Sequence, residues 1–469
     1  MKLFKQKSPI DKNTLLFSGK DLFKIIVPLL LQQILAVTVG TIDSVMVSYA
    51  GEAAVSGVSL VNTLDTVLII FFTAMVSGGS VVISQALGRK NESEVIDSAK
   101  QLLYITTAVS LVLTATVVTF RWQLLNLLFG DVEADVMASA SGYFLFVALS
   151  FPFLAIESVV SACFRASGNT RITLMVSIIL NVINIGGNAT LIYGFHMGAT
   201  GAAISTAFAR LIGAVILLFL GHQKKYAVHF ENTLKYKPDL NIIKRILRIG
   251  IPNGIESSMF QFGRLLTQTL ISTMETGIIA ANAVALTISG YQYMTGTACS
   301  SAMIPIVGRC IGAKDERQAK YYSKVILALD YVLIWVVIAT TFILMNPIVS
   351  LYDLSESSSA IAKNLITYHA IFAMVVWPVG FMLPSAFRAA GDVKFSLGVS
   401  MFTMWVFRVA GAYLCALEKV NVLGLFTIPG LNMGIYGVWF AMTVDWIFRS
   451  TLFFIHYVRG IWLRNKIST

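Results

Sequence analysis

Residues 28–60 read PLLLQQILAVTVGTIDSVMVSYAGEAAVSGVSL. From Pro28 to Ala50 the only charged residue is Asp43. A membrane-crossing helix needs roughly 20 mostly apolar residues, and this run supplies them. A short Gly51-Glu52 turn follows, and the chain becomes apolar again. Working outward, apolar segments fall at 22–49, 53–85, 101–121, 137–163, 172–194, 199–221, 245–274, 278–308, 324–346, 362–387, 395–417 and 434–458. The expected fold is therefore an all-α membrane protein of twelve transmembrane helices. Composition agrees. Charged residues make up 13% of the 469 residues and hydrophobic ones 56%, where soluble domains are about one quarter charged. The mean hydropathy is +0.76.

The net charge of +11 does not point to nucleic acid, because the basic residues sit in the links between apolar segments. One set of links contains only Arg121, Lys363 and Lys419 as bases, with the acids Glu52, Asp131, Glu133, Asp135, Glu275, Asp353, Glu356 and Glu418. The other set carries 28 of the 35 Lys and Arg, from Lys2, Lys5, Lys7 and Lys12 in the N-terminal arm to Lys466 in the tail. The positive-inside rule makes the basic side cytoplasmic, with both termini there and an even number of helices. The basic, polar start has no short apolar core followed by small residues, so no removable signal peptide is expected. Cys163, Cys299, Cys310 and Cys415 form no CxxC pair and are expected as isolated thiols; no metal-ligand spacing involves the five histidines.

The chain also repeats itself. PLLLQQ at 28–33 corresponds to PNGIES at 252–257, and ALGRKNE at 86–92 to CIGAKDE at 310–316. FRASGNTR at 164–171 corresponds to FRAAGDVK at 387–394, and MGATG at 197–201 to MGIYG at 433–437. The order is the same in both halves, and each half holds six segments. Two six-helix lobes related by a parallel repeat, about an axis along the membrane normal, are expected. The lobes are 1–221 and 244–469, joined by a polar cytoplasmic linker at 222–243.

With these motifs in hand, the sequence resembles the multidrug and toxic compound extrusion (MATE) family over essentially its whole length, closer to the DinF-like bacterial branch. The resemblance rests on Pro28 and Asp43 in the first segment, the GRKN and GAKD links, and the duplicated FRAxG loops. It implies two lobes around a central cavity and antiport: export of organic, often cationic and amphipathic drugs or metabolites in exchange for H⁺ or Na⁺. It implies no other cofactor. The expected partners are small-molecule substrates and the lipid bilayer, with a monomer in the cell (inner) membrane and no nucleic acid.

Charges inside a membrane are expensive and mark functional sites. Asp43 leads, since a carboxylate can hold Na⁺ or a proton, and the resemblance makes the first-helix Asp a coupling residue. Asn184 and Asn188 stand i and i+4, on one helix face. They match a family pattern in which the second position is Asp, so this chain lacks one expected negative charge. Thr206 matches the family's small hydroxyl on the sixth segment. Asn184, Asn188 and Thr206 are expected to coordinate Na⁺ at Asp43 or to bond its protonated form. Glu256 is a further coupling candidate, although the family's helix-7 Glu lies about one turn deeper, where this chain has Phe260. Arg264 is its expected ion-pair partner. Asp445 and Arg449, again i and i+4, are expected to pair, with Arg408 close by. Gln32, Met259, Phe260, Tyr291 and Met294 are candidates for lining a substrate cavity.

Other function classes leave weaker traces. A lipid-linked precursor flippase of the same superfamily would want a cationic cavity, and four intramembrane arginines (Arg210, Arg264, Arg408, Arg449) keep that reading open. No GxxxxGK[ST] stretch supports an ATP-driven pump. No HExxH motif or paired aspartates at a helix end support a membrane enzyme.

Overall fold

The computed structural model describes residues 15–130, 132–231, 237–422 and 426–464. Lys2, Lys5, Lys7, Lys12, Asp131, Lys235 and Lys466, used above in the charge pattern, lie outside them. The first half contains α1 (Gly19–Ser48), α2 (Glu52–Gly88), α3 (Glu92–Phe129), α4 (Ala134–Leu149), α5 (Phe151–Ala166), α6 (Thr170–Asn188) and α7 (Gly198–Gly221). The second contains α8 (Leu240–Ile271), α9 (Thr276–Gln292), α10 (Met294–Gly312), α11 (Glu316–Ser350), α12 (Glu356–Trp377), α13 (Pro384–Ala390), α14 (Val393–Thr403), α15 (Gly411–Ala416) and α16 (Gly434–Arg459).

Each of the twelve apolar segments is helical. Among the described residues nine helical spans are long and apolar enough to cross a membrane, and the bent pair α4–α5 makes a tenth. The remaining two segments fall short for visible reasons. In α8 the residues Lys244, Arg245, Arg248, Glu256 and Arg264 dilute the hydropathy, and α9–α10 is interrupted at Tyr293. Large apolar side chains such as Val112, Phe219 and Ile343 stand exposed, which a bilayer tolerates and water does not. The chain is a multi-pass membrane protein.

The breaks have identifiable causes. Between α4 and α5 the chain bends by 45°. Pro152 has no N–H for the carbonyl of Ala148, and Thr114 Oγ1 donates to that carbonyl instead at 2.9 Å. A π-helical turn at Pro378–Met382 follows α12. There the Met374 carbonyl, which Pro378 cannot serve, accepts from Trp335 Nε1 at 3.0 Å. Val375 accepts from Tyr331 at 2.7 Å and Val376 from Ser450 at 2.8 Å. Interrupted helices survive in membranes because neighbouring side chains take over the freed carbonyls.

Two compact units form. One comprises Phe17–Gly254 with Gly312–Lys314; the other includes Ile255–Ile311 and Asp315–Thr469. The boundary thus falls inside α8. In the first unit α6 packs on α1 and α7, α2 on α3 and α4, and α4 and α5 on α7. Its core gathers Val61, Phe72, Phe144, Phe151, Ala155 and Ala203. The start of α8 is tied to this unit: Arg245 donates to Glu94 at 2.7 Å, as does Arg89. In the second unit α12 packs on α9, α11 and α16, and α16 packs on α14 and α15.

The internal repeat is visible in the backbone. Helices start at 52 and 276 and at 92 and 316, each pair 224 positions apart. Asn91 caps α3 and Asp315 caps α11, each accepting from the backbone N–H three residues on, at 3.2 and 3.0 Å. Lys90 and Lys314 both turn to positive φ, at 56° and 59°. Gly168 and Gly391 of the two FRAxG loops do so at 82° and 85°, a region that favours glycine. One element was not expected. Lys419–Val422 pairs antiparallel with Phe426–Pro429, in the link read above only as a charged loop.

Candidate functional site

In the first unit α6 packs on both α1 and α7. Gly187 allows the close approach to α7, because a Cβ there would strike Ser205. Ser205 Oγ in turn donates to the Asn184 carbonyl at 2.7 Å. This packing gathers Asp43 from α1, Asn184 and Asn188 from α6 and Thr206 from α7. Asn188 Nδ2 donates to Asp43 Oδ1 at 2.8 Å. Asn184 faces the same carboxylate. With its amide nitrogen toward the acid, it donates to Oδ1 at 2.9 Å and Oδ2 at 3.2 Å, and its Oδ1 accepts from Thr206 Oγ1 at 3.1 Å. Both asparagines are buried, at 7% and 1% exposure. Among the described residues Asp43 has no basic partner, and Asn188 Oδ1 has no donor. The site is thus a carboxyl group held by two neutral amides, with an acceptor oxygen that has no donor among the described residues. Gln32 lies in the same unit and accepts from Thr173 Oγ1 at 3.4 Å.

Asp65, which has no evident partner in the sequence, meets Arg210 at 3.8 Å, and Arg210 donates to Ser150 at 2.7 Å. That pair joins α2 to α7. It neutralises two of the intramembrane charges, while Asp43 on α1 and Glu157 on α5 form no salt bridge among the described residues.

Glu256 belongs to the second unit. It does not pair with Arg264. Eight residues of helix separate the two by about 12 Å along the axis, and Arg264 turns to Gln261 at 3.4 Å. Glu256 instead accepts from Ser400 Oγ at 2.7 Å and faces Arg388 at 3.7 Å. The expected pair of Asp445 and Arg449 is present at 3.0 Å, and Arg408 stands 3.9 Å from the same carboxylate. Arg449 also donates to Ser400 Oγ at 3.3 Å. Phe260 lies under both guanidinium groups, 5.3 Å from that of Arg408 and 5.5 Å from that of Arg449. Met259 and Met294 are half-buried and Tyr291 is exposed.

A family model described as MatE matches residues 28–190 and again 252–414. The chain belongs to the MATE family. The matched blocks are themselves displaced by 224 positions, since 252 minus 28 is 224. The chain is 25% identical to an uncharacterized transporter, YisQ, of Bacillus subtilis, covering 98% of both chains. It is 24% identical to a probable multidrug resistance protein, NorM, of Thermotoga maritima, over 96% of this chain and 94% of that one. Among solved structures it is similar to a MATE protein in a bent conformation, with a TM-score of 0.82, 17% identity, and coverage of 94% of this chain and 95% of that one. An outward-facing multidrug resistance MATE transporter gives a TM-score of 0.84 at 17% identity, over 95% and 96%. The chain is therefore a MATE transporter.

Within this MATE chain, sequence reasoning missed the residues that bind the acids. Ser400 bridges Glu256 and Arg449, and nothing in SLGVSMF singles it out. Arg388 was counted only as a link charge, although its repeat position in FRAAG was noted.

Proposed function

We propose that this MATE protein is a secondary antiporter that exports organic, amphipathic drugs or metabolites in exchange for H⁺ or Na⁺. Asp43 with Asn184, Asn188 and Thr206 is the coupling site. The observation that carries the reading is a carboxyl group whose partners are the two amides alone, one of them backed by Thr206. An intramembrane acid without a counter-charge needs a proton or a cation.

The amide of Asn184 suits both states. When Asp43 is an anion, both asparagines donate to it. When Asp43 is protonated, its O–H donates to Asn184 Oδ1, and the reversed amide then donates to Thr206 Oγ1, a contact of 3.1 Å. Thr206 can donate or accept, so it serves both arrangements. Neither state leaves the amide of Asn184 unsatisfied. With Na⁺ bound, Asp43 and the spare Asn188 Oδ1 supply oxygen ligands. Loading and release of the ion change the charge and the hydrogen-bond arrangement of this cluster.

The protein resides in the cell (inner) membrane with both termini cytoplasmic, residues 222–243 linking its lobes, and works as a monomer. The test is reconstitution in vesicles with amphipathic dyes of both charges under separate pH and Na⁺ gradients. Uphill accumulation that collapses with the matching ionophore is expected. Transport that needs ATP and survives ionophores refutes the reading. Precursor flipping is the second reading, favoured by the arginines of the C-terminal half.

A further inference from the structure

The membrane-embedded charges are sorted by sign. In the first unit Asp65 is matched by Arg210, Glu157 has Arg210 and Arg165 as electrostatic neighbours, and Asp43 is an acid with no base beside it. The second unit is the reverse. Glu256 and Arg388 offset each other at 3.7 Å. Asp445 then remains as the one carboxylate beside Arg449 and Arg408, with Arg264 close to Arg408. Arg449 meets its Oδ1 at 3.0 Å, Arg408 is 3.9 Å from its Oδ2, and Arg264 is an electrostatic neighbour of Arg408. Asp330, also in this unit, faces Thr295 and Cys299 instead. His369 is bonded to Gln292 at 2.7 Å and Tyr293 lies near Arg408, so neither adds a negative charge.

The cluster is incompletely satisfied. Asp445 is fully buried, yet its Oδ2 has no hydrogen bond among the described residues. Arg408, with a side-chain exposure of 12%, makes no hydrogen bond among them and rests on the ring of Phe260. Arg264 is exposed, with one long bond to Gln261. Arg449, at 3%, is engaged by Asp445 and Ser400 and stacks at 5.0 Å on Phe381. Surplus positive charge in a membrane is costly and is kept where a ligand or partner offsets it. A guanidinium fork matches carboxylate and phosphate oxygens, and its aromatic support fixes the fork's plane.

We propose that Arg264 and Arg408, held in place by Arg449, Asp445 and Phe260, receive the anionic group of the exported compound. The substrate class is an organic anion, a carboxylate, sulfonate or phosphate on an apolar body, and the body lies against Phe260 and Phe381. This deepens the export reading and rests on it for the direction of transport. It replaces the cationic substrates that family resemblance implies. It also separates the tasks of the two units, since a coupling cation goes to the acid of one and the substrate's anion to the arginines of the other.

The test uses two dyes with the same ring system and opposite charge, fluorescein and rhodamine 123. Binding to the detergent-purified full-length protein is followed by fluorescence polarisation. Fluorescein is expected to bind saturably and to weaken as salt is raised. Arg408→Gln and Arg264→Gln are each expected to raise its dissociation constant about tenfold, with Arg408→Lys recovering part of the loss. Thermal melts check that each variant is folded. A preference for rhodamine 123, or unchanged fluorescein affinity in both Gln variants, overturns the proposal. Displacement by farnesyl phosphate and not by naphthalene sulfonate assigns the anion to a lipid carrier; the reverse assigns it to a water-soluble compound. The two readings fail separately. Gradient-driven rhodamine export without fluorescein binding sinks the anion site alone. Arginine-dependent fluorescein binding without gradient-driven export sinks the coupling mechanism alone.

Discussion

Asp43→Asn isolates the charge of the proposed coupling site from its shape. The carboxylate accepts from Asn188 at 2.8 Å and from Asn184 at 2.9 and 3.2 Å. An amide in its place keeps one acceptor oxygen and gains an N–H₂ group. Asn184 can reverse its own amide and present Oδ1 to that group, because Thr206 accepts as well as donates. The net loss is about one hydrogen bond, worth roughly 0.6 kcal/mol between membrane helices. The variant should therefore insert and fold, with a melting temperature lowered by no more than about 2 °C. Transport should change far more. A gradient of one pH unit stores about 1.36 kcal/mol per proton, so one-for-one exchange supports about tenfold accumulation of substrate. Fixed at neutral, residue 43 can neither release a proton nor hold Na⁺, and the accumulation ratio should fall to one. The assay is dye accumulation in inside-out vesicles under an imposed pH or Na⁺ gradient, normalised to the amount of folded protein. Wild-type accumulation in the variant refutes the argument and moves the coupling role to Glu256 or Asp330.

Restoring the acid that the family pattern expects, Asn188→Asp, places a second carboxylate against Asp43. Its Na⁺ affinity, read from Na⁺-dependent thermal stabilisation, should rise at least about tenfold, and no change would speak against a cation at this site. Arg449→Met leaves the buried Asp445 with only Arg408 at 3.9 Å. A cost of about 3–5 kcal/mol is expected, and Asp445→Leu added to it should recover much of the loss in melting temperature. Gly57→Val should disrupt the α2–α4 contact, where a Cβ would lie 2.8 Å from the Ala140 nitrogen. Gly186→Ala, with open space around it, should melt like wild type. Equal melting of the two glycine variants would show that this contact is not tight.

The sequence by itself determined the class, the number of segments and the repeat. Hydropathy reads segments well because a bilayer demands whole apolar helices, whatever they pack against. The repeat was legible because GRKN and GAKD, like the paired FRAxG loops, encode helix caps and positive-φ turns that need only local residues. The proposed coupling cluster was partly legible for the same reason. Asn184 and Asn188 share a face by helical period alone, and Asp43 is the lone charge between Pro28 and Ala50. Which neutral groups close on Asp43 needed the packing of α6 between α1 and α7. The second cluster was less open to the sequence. Asp445–Arg449 follows from spacing within one helix, but the same kind of reasoning pairs Glu256 with Arg264 on its own helix, and the structure pairs it elsewhere. Its partners Ser400 and Arg388 come from α14 and α13, far along the chain, and the turns at Pro378–Met382 and Met404–Ala410 help set where those helices run. Short-range patterns specify helices and caps. The pairing of buried charges depends on which faces meet, and only the tertiary structure decides that.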